Sequence, residues 1–206
     1  MRKQIALILI LLFSLKNFAQ KPVIALEKMN VLYMGVTNPI SVAVEGIDDS
    51  KLKVTIDNGS IAKNSDGGYD VLTSKTGLAI VSIEWHGGKA EKKFRVLSMS
   101  DPEPSLSNSS EYNSYPKESY TGVIAIIMGY GFDAKALIHS FKMTRFSKKK
   151  EFKEIIAIGC CDKSSFELML TAQKDDTIIF SEIKCKLPGD ILPRTLRKTI
   201  TCHIRD

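Results

Sequence analysis

"KMNVLYMGVTNPISV", Lys28 to Val42, is the stretch whose reading decides the fold. It is strand-like at both ends, with an aromatic at Tyr33, and is interrupted in the middle by Gly35 and by Asn38-Pro39. Proline cannot donate a ladder hydrogen bond, so Pro39 belongs at an edge or at the start of a strand. Asparagine and glycine permit the tight backbone such a corner needs. The stretch therefore predicts a chain that enters the edge of a β-sandwich and kinks into the next strand. Loops on a rigid scaffold also carry binding residues, which makes Tyr33, Asn38 and Pro39 candidate docking residues as well as a structural corner.

Working outward, Ile40–Val44 and Leu52–Ile56 alternate with period two, and Leu78–Trp85 places Ala79, Val81, Ile83 and Trp85 on one face. Asn58-Gly59 and Asp66-Gly67-Gly68 are turn signals, and Gly87-Gly88 predicts a hairpin between Trp85 and the strand Lys89–Leu97. No stretch of this half has helical periodicity. Short strands with closely spaced turns predict an immunoglobulin-like sandwich over residues 22–98, with Trp85 in its core.

Residues 99–121 are rich in serine and contain Asp101-Pro102-Glu103-Pro104 and Pro116. That composition predicts a linker that allows the flanking domains to hinge or to exchange strands between protomers. Residues 122–206 resume apolar strands. Gly122–Met128 reads as buried, and Leu137, His139, Phe141 and Met143 share a face of the strand ending at Phe146. Ser164-Ser165-Phe166-Glu167 resembles a capping box and predicts a short helix over 165–173. Strands over Ile178–Leu187 and Leu196–Ile204 follow, joined through the turn Pro188-Gly189-Asp190. The fold class is thus mainly β: two tandem sandwich-like domains, the second carrying one short α-helix.

The N-terminus has the pattern of a cleavable export signal over residues 1–19: Arg2 and Lys3, the apolar run Ile5–Phe13, and a small residue at Ala19. The run is too short to span a membrane, which takes roughly 20 apolar residues, so the mature chain is expected to have no transmembrane segment. Loss of Arg2, Lys3 and Lys16 lowers the basic count from 29 to 26 against 23 acidic residues, and the net charge from +6 to +3. This weak positive charge gives no reason to expect nucleic acid as a partner.

The cysteines, Cys160, Cys161, Cys185 and Cys202, all lie in the second half. Cys185 and Cys202 each fall on an apolar strand face, so a cross-strand disulfide between them and a pair of buried thiols both fit. Cys160 and Cys161 are adjacent, and a bond between neighbours closes a strained ring without the geometry of a CxxC redox pair. The spacing is no zinc pattern. His86, His139 and His203 fall in no HExxH or GxSxG setting, Asp175-Asp176 lacks calcium-loop spacing, and no phosphate loop is present. The expectation is therefore no catalytic set, no metal and no cofactor. Lys142, Arg145, Lys148, Lys149, Lys150 and Lys153 surround one hairpin. They read as a solvated tip or, functionally, as an electrostatic docking patch centred on Lys148, Lys149 and Lys150.

The opening stretch resembles the start of the third domain of the GldM and PorM family of gliding-motility proteins. "IDNGSI", "GGYDV", the Gly77–Trp85 strand and "FRV" followed by Asp101-Pro102 appear in the same order. In the second half "GVIA", "FDAKALIHSFKMTRF" and "IIFSEIKCKLPGDILPRTLRKTI" resemble that family's fourth domain. The resemblance implies a non-enzymatic periplasmic protein. Its relatives form a dimeric shaft of β-domains linking an inner-membrane motor to the outer-membrane ring of the type IX secretion and gliding machinery. It further implies envelope proteins of that machinery as partners and a possible homodimer. In place of the family's inner-membrane helix, helical domain and first β-domain the sequence carries the leader, so the expectation is a stand-alone paralogue of the distal domains that docks on envelope proteins, in the periplasm, with outer-membrane association or secretion as alternatives. A secreted adhesin or carbohydrate-binding sandwich is the competing class, because unrelated surface proteins share such domains.

Overall fold

The structure is a computed structural model, and it describes residues 22–25, 30–107, 114–131, 134–149 and 151–205. The leader over 1–19 and Lys150 lie outside the described residues.

In the first domain, β1 (Pro22–Ala25) pairs with β3 (Thr37–Val44), which pairs with β6 (Tyr69–Leu72), which pairs with β5 (Ser60–Lys63). The facing four-stranded sheet runs β2 (Val31–Tyr33), β8 (Gly88–Leu97), β7 (Gly77–Trp85) and β4 (Lys53–Ile56). With strands lettered along the chain, these are the ABED and CFG sheets of an immunoglobulin fold. The first strand is divided: its second half, β2, crosses over and runs parallel to β8, Val31 opposite Arg95. The core follows from alternation. Ile40, Val42 and Val44 point inward from β3, and Ala79, Val81 and Ile83 from β7 meet Phe94 and Val96 from β8. The hairpin at His86-Gly87 is as expected, with Trp85 opposite Gly88 and the indole packed against the core edge and over that glycine.

The second domain is built differently. One sheet runs β10 (Ser114–Pro116), β16 (Ile200–Arg205), β14 (Thr177–Lys186), β12 (Leu137–Phe146) and β13 (Phe152–Ile158), with the short β15 (Arg194–Thr195) also on β14. One face is covered by helix α1 (Lys163–Leu170) and by a ribbon of β9 (Glu103–Leu106) and β11 (Val123–Ile126). Phe141, Met143, Ile178, Phe180 and Ile183 from the sheet pack against Leu168 and Met169 of the helix and Val123 of the ribbon.

Three expectations change here. The described parts of 99–121, residues 99–107 and 114–121, are packed instead of forming a free linker: Leu106, Tyr115 and Tyr120 are core residues of the second domain, and Met99 is buried between the domains. A few apolar anchors among many serines suffice, because each one points inward. The helix begins earlier than the capping box suggested. Its N-cap is Asp162, whose carboxylate accepts from the Ser164 amide at 2.8 Å. The face containing Leu137 and His139 is exposed, while Phe141 and Met143 are buried. The register of β12 against β14 shifts between Ile138 and Ser140, and shifts back before Lys142. Glu182 of β14 sits there at φ 49, and Ile178 and Phe180 on one side of it and Ile183 and Cys185 on the other all reach the core. An extra residue in a strand reverses which side chains face inward.

Candidate docking surfaces and the joint between the domains

The opening stretch crosses from one sheet to the other. Met34 N donates to Leu97 O at 2.9 Å and Gly35 N to Thr73 O at 3.1 Å, so the turn is fixed to both sheets. Asn38 lies on the inward side of β3 and is buried. Its side-chain oxygen accepts from Tyr33 N at 2.7 Å, and its Nδ2 donates to Tyr33 O, Val36 O and Val71 O at 2.9, 2.8 and 3.2 Å. The bonds to Tyr33 O and Val36 O satisfy carbonyls at the turn, and the bond to Val71 O ties it to β6. Pro39 is exposed in the half of β3 that pairs only with β6, before β1 joins at Ser41.

The same turn is the joint between the domains. Gly35 adopts φ +77, and a Cβ there would lie 2.1 Å from Gly189 N and 2.4 Å from Pro188 C. Two glycine turns thus meet backbone to backbone. Around them Val36, Met99 and Leu187 form a small buried cluster flanked by Tyr33, Ile127 and Tyr130. Tyr33 and Tyr130 meet edge to face with ring centroids 4.9 Å apart. The Tyr130 hydroxyl lies 2.8 Å from Ser100 N. Arg194 holds the other side: Nε donates to Asp190 Oδ2 at 2.9 Å, Nη1 to Met99 O at 2.9 Å and to Asp101 Oδ1 at 3.3 Å, and Nη2 pairs with Asp190 Oδ1. The bonds to Asp190 raise the Arg194 pKa further above its usual value, holding the guanidinium charged. Lys198 reaches Glu103 at 2.6 Å.

The candidate docking residues do not converge on one surface. Asn38 is buried and fully engaged, so it is a staple and not a contact residue; Tyr33 is half-buried in the joint, and Pro39 alone of the three is open. The basic hairpin lies at the far end of β12 from the joint, ten residues away, or roughly 33 Å of strand. Much of its charge is matched. Lys142 bridges Glu154 at 3.2 Å and Glu182 at 3.3 Å, Lys148 pairs with Asp175, and Arg145 pairs with the buried Asp176 at 2.6 Å. Lys149 is exposed.

Cys185 and Cys202 are free and buried. Cys202 stands opposite Ile178 on β14, seven residues from Cys185, roughly 20 Å along the strand. Sulfurs so placed cannot bond. Burial pushes their thiols up to about 11 and about 12 respectively. The disulfide is formed instead by Cys160 and Cys161.

What had not been singled out is the outer face of the second sheet. β13 is an edge strand, and Phe152, Ile156 and Ile158 on it are 71, 70 and 65% exposed, with Phe146 beside Phe152 on β12. Gly159 N donates to His139 O, so the amides of 152, 154 and 156 point away from β12. Ile155 to Ile158 is a continuous apolar run, so period two does not say which face of this strand is covered.

A cleft of about 260 Å³ separates β9 from β16, with Leu106, Tyr115, Ile200 and Cys202 among its lining and the Lys198–Glu103 pair at its rim. No histidine lines it. His203 lies 3.0 Å from Thr177 Oγ1, and His86 occupies a hairpin loop. Among the described residues no three metal-ligating side chains cluster, and no helix is long and apolar enough to cross a membrane.

The strand order defines the class: an immunoglobulin-like β-sandwich followed by a second β-domain that it contacts through the Gly35–Gly189 joint. Residues 22–97 match the family model of the GldM third domain, so the first domain is a GldM-family domain, related to the gliding-motility and type IX secretion shaft. No curated protein matches the chain. Among solved structures, similarity extends to titin domains A168–A170 (11% identity, 89% of this chain and 65% of that one, TM-score 0.29). It extends also to S-layer protein SbsC domains 4 and 5 (10%, 89% and 97%, 0.33) and human protocadherin-24 EC1-2 (12%, 90% and 97%, 0.29). The fold assignment rests on the strand order and not on these overlaps.

Proposed function

We propose that this chain is a non-enzymatic, exported module of the cell envelope that docks on protein components of the gliding-motility and type IX secretion machinery, and that its second domain is related to the family's fourth. The observation that carries the docking reading is the bare apolar edge formed by Phe146, Phe152, Ile156 and Ile158. An open strand edge with an apolar face is a template for adding another protein's strand. The packed joint, with Gly35 against Gly189 and Arg194 bonded to Met99 O, supports a spacer role. The scattered histidines support a binding role over a catalytic one.

The test is recovery on the immobilised chain from envelope fractions, read by mass spectrometry. Shaft or ring components of the machinery are expected with the wild type and are expected to be lost with Phe152→Asp/Ile156→Asp. Retention of the chain on glycan columns, with none of these components recovered, would overturn the proposal in favour of an adhesin.

A further inference from the structure

We propose that Cys160 and Cys161 form a thiol–disulfide exchange site: a bond between neighbours that an external dithiol opens, and that locks the corner where β11, β13 and α1 meet. The inference does not depend on the docking reading.

The cysteines are sorted by environment. The bonded pair is exposed, whereas the free pair is buried. Burial holds the Cys185 and Cys202 thiols protonated to about 11 and about 12, which keeps them unreactive. The reducible bond is thus the one a second molecule reaches.

The corner depends on the backbone of this pair. The Cys160 carbonyl accepts from Val123 N at 3.0 Å, where β11 starts. The next residue, Asp162, accepts from Ile158 N at 3.3 Å with one oxygen and from Ser164 N at 2.8 Å with the other. It therefore ties the end of β13 to the first turn of α1. Gly122 is pressed against the pair: a Cβ there would lie 2.4 Å from Cys160 O and 3.0 Å from Cys161 Sγ, at φ +130. Only glycine meets both conditions without strain.

In the exchange, a thiolate of the dithiol attacks one Sγ; the Cys160–Cys161 bond breaks and the other Sγ leaves as a thiolate, which takes up a proton. The second thiol of the reductant then resolves the mixed disulfide. The pair gains two electrons and two protons, and the reductant becomes a disulfide. The Cys160–Cys161 peptide then regains the conformations the ring excluded, and the corner loosens.

The full chain, prepared without reductant, is denatured and alkylated with iodoacetamide. Two labels are expected, on Cys185 and Cys202. Brief dithiothreitol treatment of the folded protein is expected to add labels at Cys160 and Cys161 while the buried pair stays protected. Reduction should speed hydrogen exchange at the Val123, Ile158 and Ser164 amides by about tenfold, leaving the centres of β12 and β14 unchanged. Cys160→Ser/Cys161→Ser should show the fast pattern without reductant and no response to it, and Cys161→Ser alone serves if the double variant does not fold. Four labels on unreduced protein, a bond to either buried cysteine, failure of dithiothreitol to open the pair, or unchanged exchange at those amides would each overturn the proposal.

Discussion

The two domains bury their cores by different rules. In the first, two four-stranded sheets face each other and strict alternation decides every inward position, as in the exposed–buried sequence of β3 from Thr37 to Val44. In the second, a larger sheet is covered on one face by a ribbon and a helix, and its other face carries exposed phenylalanine and isoleucine. Paired register shifts in β12 and β14 exchange its faces midway. A regular sandwich therefore reveals its interior through period two alone, whereas a bulged, asymmetrically covered sheet does not.

The largest expected effect separates the domains by pH. Tyr115, Tyr120 and Cys202, all core residues of the second domain, are pushed up to about 12 by burial, and Cys185 to about 11. Each keeps its proton when folded above the pH at which the unfolded chain releases it. The stability they contribute is complete below the unfolded cysteine value of 9.0 and is lost as pH rises toward about 12. Tyrosinate absorbance should report unfolding of the second domain in that window before the fluorescence of Trp85, the chain's one tryptophan, reports loss of the first. A first domain that fails at lower pH would break the comparison.

Next in size is Asp176→Ala. Asp176 Oδ2 accepts from Arg145 Nε at 2.7 Å and from Gln173 N at 2.8 Å, tying the segment after the helix to β12. Removing it leaves a guanidinium partly buried and unpaired, a loss of about 3 kcal/mol. Urea unfolding followed by probes in each domain should show the loss in the second.

Gly35→Ala tests the joint. The new Cβ would meet Gly189 N at 2.1 Å in a backbone conformation that disfavours it, and about 2 kcal/mol should be lost. Calorimetry should then resolve two transitions where the wild type shows coupled unfolding. Gly67→Ala is the control, since Gly67 has a similar φ of +84 with nothing within 4 Å, and it should cost about 1 kcal/mol without separating the transitions. The smallest effect belongs to Lys148→Ala. Its pair with Asp175 leaves the side chains 69 and 50% exposed, so thermal unfolding should register less than about 0.5 kcal/mol.

Much of the first domain was legible. Its strands, the Gly87 hairpin and the inward face of β7 all follow from alternation and turn residues. The corner at Gly35 was legible as a corner but not as a joint, because its partner, Pro188-Gly189, lies more than 150 residues away. Residues 99–121 were misread because composition averages over a segment, while Leu106, Tyr115 and Tyr120 act one at a time. The basic hairpin looked like one patch because Asp175, Asp176 and Glu182, which match its charge, come from a different strand and the loop before it.

By itself the sequence determined the local choices: strand or turn, which side chains alternate, and where glycine or proline must stand. These are set by backbone sterics and by neighbours within a few residues. Tertiary structure alone decided which sheet each strand joins, which face of β13 stays bare, which cysteines come together, and that two glycine turns clasp the domains. Each of these depends on approaches between segments distant in the chain, and period and composition carry no record of such approaches.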